Sequence, residues 1–219
     1  MKKKLIIFMP SIEGGGVEKN FFIISNYLST KLSNVSLITI SKLHKNKLNK
    51  RIKIISPNSK FLINFGRRLK FLISIFYLFK EIIKNKNSTV LCLQGILYCT
   101  IFCKLFSTKI IIRSNSSPSG WSKNIIKSYL YKVIYGWADT IIVNSLEFKK
   151  ELFKRFNLDS ICIYNPLNKK EILKNSKENI KINFFENKSY KLISAARFSE
   201  QKDHECLVRA IELLKNKYK

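Results

Sequence analysis

Leu5-Ile6-Ile7-Phe8-Met9-Pro10-Ser11-Ile12-Glu13-Gly14-Gly15-Gly16-Val17-Glu18 changes pattern three times. A short apolar run fits a buried β-strand, and Pro10 ends it. The Gly14-Gly15-Gly16 turn follows, and from Val17 the apolar residues Phe21, Ile24, Leu28 and Leu32 recur at helical spacing to Leu32. A strand feeding a helix through a glycine turn is the opening of a βα unit. Glycine lets the backbone approach a ligand closely, and the free N–H groups of a first helical turn favour an anion. The same residues also serve a tight turn that needs positive φ, so the loop alone leaves both uses open. It matches neither Gly-x-Gly-x-x-Gly nor a Walker loop, which argues against nicotinamide cofactors and ATP.

Outward from this stretch, strands and helices alternate. Strands are expected at 35–40, 52–55, 90–93, 109–113, 140–143 and 161–164. Helices are expected at 65–84, 96–106, 122–137 and 147–156. This order predicts an α/β fold, a Rossmann-like parallel sheet with helices on both faces. Ligands of such sheets bind beyond the carboxyl ends of the strands. The loops 10–16, Gln94-Gly95, 114–120 and Asn144-Ser145 all belong to that edge, and they hold most of the chain's glycine and serine turns.

The 219 residues carry 46% hydrophobic and 12% aromatic side chains, enough for a folded core. The formal net charge is +27, with 41 Lys and Arg against 14 Asp and Glu. Such an excess suits nucleic acid, an anionic membrane surface or a phosphorylated substrate, or reflects a lysine-rich composition with no single target. Helix-turn-helix spacing, zinc knuckles and ribonucleoprotein aromatics are absent from the sequence, so nucleic acid is not the expected partner, and a non-catalytic basic module that binds nucleic acid or membrane stands as the alternative function. Cys92, Cys99, Cys103, Cys162 and Cys206 form no paired framework, and His44 and His204 are the sole histidines. Buried free thiols in a reducing cytoplasm are expected, with no metal. Met1-Lys2-Lys3-Lys4 resembles a signal-peptide start, but the apolar run after it is too short and lacks a cleavage site. The uncharged stretch 87–103 reads as strand, turn and buried helix rather than a spanning helix. In 65–84, Arg67, Arg68, Lys70, Lys80 and Lys84 bracket a run of apolar residues. That segment suits a bilayer interface or a core helix with solvated basic ends.

From Lys169 the composition turns to Lys, Asn and Glu, as in a linker. The expected organisation is a first domain over 1–168, a linker over 169–189, and 190–219 as the first strand and helix of a second domain. The strand is placed at Leu192-Ile193-Ser194-Ala195-Ala196 and the helix at 205–217. Arg197 and Lys202 lie between them. Two cations at a strand's carboxyl end suit a diphosphate, or are an ordinary solvated basic loop.

Pro10-Ser11-Ile12-Glu13-Gly14-Gly15-Gly16-Val17-Glu18 resembles the Gly-Gly-x-Glu opening of the large retaining glycosyltransferase family called family four, whose GT-B architecture pairs two Rossmann-like domains. Four further stretches agree in order. Ala138-Asp139-Thr140-Ile141-Ile142-Val143-Asn144-Ser145 resembles the Ala-Asp strand, and Ile163-Tyr164-Asn165-Pro166-Leu167-Asn168 the crossover into the linker. Ser194-Ala195-Ala196-Arg197-Phe198 resembles the Gly-Arg-Leu strand end, and Gln201-Lys202-Asp203-His204 the segment opening the next helix.

The resemblance implies sugar transfer from a nucleotide-sugar donor to a glycan or polyprenyl-linked acceptor, with retention, in cell-surface polysaccharide or glycolipid synthesis. Gly15, Gly16, Glu18, Asn115, Ser145, Arg197 and Lys202 are the implied donor- and acceptor-binding residues. Arg197 and Lys202 neutralise the leaving diphosphate, so no metal or other cofactor is expected. Many relatives carry a His in the loop after the strand 109–113. Here Arg113-Ser114-Asn115 stands there, and Asn115 is a hydrogen-bonding group but no general base. The family's Glu-(seven residues)-Glu motif has no counterpart in the sequence. The chain is therefore expected to be inactive alone, or to work with a separate chain carrying the missing domain. A cytoplasmic location, peripheral on the inner face of the membrane, follows from the same reading.

Overall fold

The computed structural model describes residues 4–12, 15–40, 44–57, 62, 65–116, 124–178, 190–196 and 198–217. The chain divides into two compact units, Met1–Lys169 and Lys170–Lys219.

The first unit is built on seven parallel strands. They are β1 (Lys4–Phe8), β2 (Val35–Ile38), β3 (Lys53–Ile55), β4 (Ser88–Cys92), β5 (Lys109–Arg113), β6 (Thr140–Val143) and β7 (Ile161–Cys162), in the order β3-β2-β1-β4-β5-β6-β7. The order reverses direction beside β1, which pairs in parallel with both β2 and β4. Helices α1 (Gly16–Lys31), α2 (Arg67–Lys84), α3 (Ile96–Leu105), α4 (Ile125–Gly136) and α5 (Leu146–Phe156) make the crossovers. Central strands are apolar on both sides because both faces are covered. Ile7, Leu37 and Leu91 pack under α1 through Phe21, Ile24 and Leu28. On the opposite side Ile6, Phe8, Val90, Ile110 and Ile112 pack under α2, α3, α4 and α5. The fold is thus the α/β sheet with helices on both faces that the alternation predicts.

An ion pair closes the amino edge. Lys4 Nζ at the start of β1 lies 2.5 Å from Glu81 Oε2 near the end of α2, both side chains 7% exposed. Cys92, Cys99 and Cys103 are buried and free, as expected, whereas Cys206 is exposed.

The second unit differs from the expectation in two places. Residues 169–175, read as linker, form helix α6 (Lys169–Asn175). Residues 192–196, read as a strand, carry no strand, and Leu192 and Ile193 are exposed. Extended backbone becomes a strand only when a neighbour completes the hydrogen-bond ladder. A short 3₁₀ turn (Glu200–Lys202) then leads into α7 (His204–Lys217).

Candidate functional site at the carboxyl edge of the sheet

The loops after β1, β4, β5 and β6 all leave the same edge, because every strand runs parallel. At a strand spacing of about 4.8 Å, the loop after β5 lies about 10 Å from that after β1, and the loop after β6 about 14 Å. A sugar with part of a diphosphate spans such a distance.

The first loop is fixed by backbone pairing. Met9 N–H donates to Ile38 O at 3.1 Å, and Ile40 N–H donates to Pro10 O at 3.0 Å. Ser11, which is buried, donates its N–H to Gln94 Oε1 at 2.8 Å, tying this loop to the one after β4. Gly15 is the N-cap of α1, with no side-chain cap, and Gly16 is its first residue. A Cβ on Gly15 would meet Glu18 Oε2 at 2.8 Å, so the Glu18 carboxylate folds back over the N-cap. That position sets a negative group at the positive end of the helix. An anion approaching Gly15 has to displace that carboxylate. Gly16 is exposed, with open space where a side chain would stand. Gly14 and Glu13 lie outside the described residues.

After β4, Gly95 caps α3 in the left-handed region at φ 70°, again without a side-chain cap. A Cβ there would touch the Phe71 ring at 3.5 Å, so glycine is demanded by conformation rather than by space.

After β5, Arg113 is a charged residue with 4% exposure at the end of an apolar strand. Its Nη2 donates to Ile163 O at 3.0 Å and Asn165 Oδ1 at 3.0 Å, and more weakly to Tyr164 O at 3.5 Å. Burial lowers its pKa from the ordinary arginine value. Ser114 extends the ladder by donating its N–H to Ile142 O at 2.9 Å, and its Oγ lies 3.1 Å from Tyr135 Oη. Burial raises the Tyr135 phenol well above its usual value. Asn115 follows, half-buried, on the stem that this clamp holds. After β6, Ser145 is the N-cap of α5 and its Oγ accepts the Phe148 N–H at 3.1 Å. The backbone N–H of Glu147, and then the Ser145 hydroxyl, hold the exposed Glu147 carboxyl below its usual range.

Gly15, Gly16, Glu18, Asn115 and Ser145 therefore share one edge of the first unit. Ser145 has its hydroxyl engaged in capping. Lys202 belongs to the second unit, exposed at the end of the 3₁₀ turn. Asp203 after it takes a left-handed φ of 43° and accepts the Cys206 N–H at 3.1 Å, starting α7. Arg197 lies outside the described residues. The sequence reading missed the Ser11–Gln94 tie and the Arg113 clamp. A lone arginine closing an apolar strand was the available signal for the clamp. Asp139, noted as part of a motif, is structural: its Oδ2 accepts the Ile110 N–H at 2.8 Å. Among the described residues, no three His, Cys, Asp or Glu side chains gather as a metal site.

No protein-family model matches the sequence, and no curated protein matches it. Solved structures do. The Anabaena Alr3699/HepE structure in complex with UDP superposes with a TM-score of 0.52 at 12% identity, over 75% of this chain and 44% of that one. The complex of the same protein with UDP and glucose gives 0.53 at 12% identity, over 80% and 49%. Phytolacca americana UGT2, complexed with UDP-2fluoro-glucose and pterostilbene, gives 0.51 at 12% identity, over 80% and 56%. The chain spans about half the length of these proteins. At such identity the likeness is one of fold: the Rossmann-like α/β architecture that the GT-B resemblance implies.

Proposed function

We propose that this chain is part of a GT-B glycosyltransferase that moves a sugar from a nucleotide-sugar donor to a glycan or polyprenyl-linked acceptor, with retention at the anomeric carbon as in family four. The observation that carries the reading is the carboxyl edge of the sheet. There the Gly15-Gly16 turn, the Ser11–Gln94 tie and the Asn115 stem follow three neighbouring strands. The fold likeness to UDP-bound proteins supports it.

In this reading the two glycines let the backbone approach the ligand. Glu18, folded over Gly15, makes the turn better suited to sugar hydroxyls, which donate to a carboxylate, than to a bare phosphate. Asn115 hydrogen-bonds the sugar, and Arg197 and Lys202 take up the negative charge that builds on the departing diphosphate. Charge stabilisation by fixed cations is the main chemical contribution, and Asn115 moves no proton.

Calorimetric titration tests this with UDP, UDP-glucose, other nucleotide sugars, NAD and an oligonucleotide. Binding is expected from a nucleotide sugar or its nucleoside diphosphate, and Arg197→Ala with Lys202→Ala should weaken it by about 100-fold, two charge-assisted contacts being removed. A chain that retains NAD or the oligonucleotide but none of the sugar nucleotides overturns the proposal.

A further inference from the structure

Helices α2, α3 and α4 lie side by side on one face of the sheet. Phe71 of α2 meets Tyr98 of α3 at 5.8 Å between ring centroids, and Phe79 meets Phe106 at 5.2 Å. Contacts also join α3 to α4. Each helix is apolar on the side that faces the sheet, through Leu78, Cys99, Cys103 and Ile134 among others. Each is apolar on the outward side as well. On α2, Leu72 (57% exposed), Phe76 (53%) and Ile83 form one stripe, while Phe71, Ser74 and Leu78 are buried. On α3, Tyr98, Ile101 and Leu105 (74% exposed) do the same, and Lys104 is the helix's one charged residue. On α4, Ile126 and Leu130 (51% exposed) continue it, with exposed Trp137 capping the helix end. A helix covered on one side ordinarily presents charged residues on the other, and one apolar all round is ordinarily buried. Three adjacent helices that break this rule in the same direction make an extended apolar surface, which on a soluble monomer marks a docking site.

The charge around that surface identifies its occupant. From Phe65 to Ala138 the sequence holds twelve Lys and Arg and one acidic residue, Glu81. Glu81 is buried against Lys4 and presents nothing outward. Lysines sit within the apolar surface, as Lys80 does with its ammonium 4.4 Å from the Phe76 ring centroid. Long lysine stems lie along apolar groups while their ends reach a polar layer above. The charge of +27 that each copy would bring disfavours a second copy of this chain as the occupant. No helix among the described residues is long and apolar enough to cross a membrane, so the contact is one of lying on the surface.

We propose that the outward side of α2, α3 and α4 docks on a bilayer carrying anionic headgroups. Leu72, Phe76, Leu105 and Leu130 enter the acyl boundary, and Lys80, Lys104 and Lys127 meet the headgroups. The proposal stands independently of the transfer reaction, since it uses no residue of the carboxyl edge.

Vesicle flotation of the full chain tests it, with phosphatidylcholine vesicles and with vesicles of phosphatidylcholine and phosphatidylglycerol in equal parts. The chain should float with the anionic vesicles only. The combined variant Leu72→Ser, Phe76→Ser, Leu105→Ser and Leu130→Ser should lose at least about tenfold in partitioning. Its far-ultraviolet circular dichroism should be unchanged, because all four side chains are solvent-facing. Lys80→Glu, Lys104→Glu and Lys127→Glu together should abolish the preference for anionic lipid, a readout that does not depend on the serine variant folding. Ile172→Ser with Leu213→Ser, exposed apolar positions of the second unit, should change nothing. Equal flotation with both vesicle types overturns the proposal, as does serine-variant binding equal to the parent's. So does absence of flotation, with the serine changes acting on self-association or on capture of an RNA oligonucleotide.

Discussion

Removing one partner of the Lys4–Glu81 pair should cost far more than removing both. The two side chains are 7% exposed and 2.5 Å apart, at the foot of β1 and near the end of α2. Glu81→Gln keeps the shape and strands an ammonium in the interior, and Lys4→Met strands a carboxylate. Loss of one member of a buried pair costs about 3–5 kcal/mol, while an apolar replacement of both is often neutral. Each single variant is therefore expected to lose about 3–5 kcal/mol, or roughly 6–20 °C in Tm for a chain of this size. The double variant Lys4→Met with Glu81→Leu should lie within about 1 kcal/mol of the parent. Urea unfolding followed by circular dichroism measures all three, and the double-mutant cycle isolates the coupling. At about 100° per residue, Glu81 lies on the opposite side of α2 from Leu72, Phe76 and Ile83, so the pair also fixes which side of α2 faces outward. Single variants that each cost less than about 1 kcal/mol, or a double variant whose loss equals the sum of the singles, would refute the reasoning.

Gly95→Ala should cost about 1–2 kcal/mol in urea unfolding, because φ 70° is left-handed while the Phe71 ring at 3.5 Å is ordinary contact; a loss near zero would contradict this. Arg113→Gln should cost about 1.5–3 kcal/mol, towards the low end because its acceptors lie in exposed residues that water rehydrates. Hydrogen exchange should then rise at 161–165 and stay unchanged at β1. Stability should fall on the alkaline side. Burial raises the Cys99 thiol well above its usual 9.0, and raises the Tyr135 phenol above its usual 10.0. The folded state therefore keeps protons that the unfolded chain releases, so this stabilisation is complete below pH 9.0 and is lost as pH rises beyond it. Urea midpoints at neutral and alkaline pH check the sign, and Cys99→Ala should flatten the early part of the decline.

The sheet was readable because its central strands are short apolar runs closed by turn residues, as at 5–9, 109–113 and 140–143. Strand 192–196 has the same appearance and is not a strand, since pairing is a property of two segments and composition describes one. Helix α6 gives no periodic signal, because Ile172 and Leu173 are its only apolar residues, although lysine and glutamate are good helix formers. At the site, the glycines and the loops at the strand ends were legible. The function of Arg113 was not, because its acceptors come fifty residues later in the chain. Ser145 shows the converse difficulty. Serine before a helix is equally a cap and a ligand group, and only geometry separates them.

The caps also indicate where along the edge a ligand would be held. Asn124 caps α4 by accepting the Ile126 and Lys127 N–H groups, and Ser145 caps α5. The helices that follow β1 and β4 begin instead at Gly15 and Gly95, neither of which has a side chain to offer. These are adjacent strands at the point where the sheet order reverses, and the Ser11–Gln94 bond joins their loops. Backbone donors at helix starts need partners. Where the sequence supplies Asn or Ser, that need is met by the cap side chain; where it supplies glycine, at Gly15, Gly95 and also Gly66 before α2, no cap side chain meets it. Two of these three starts flank the β1–β4 seam, the switch point at which open α/β sheets take their ligands. A polar ligand seated there is held by backbone groups first, so alanine substitution of Asn115 or Ser145 should weaken binding less than Gly15→Val, whose side chain collides with the Glu18 carboxylate and screens the same donors. Comparing the three variants by the calorimetric titration proposed above gives the order, and a reversed order would move the ligand away from the β1–β4 seam towards β5 and β6.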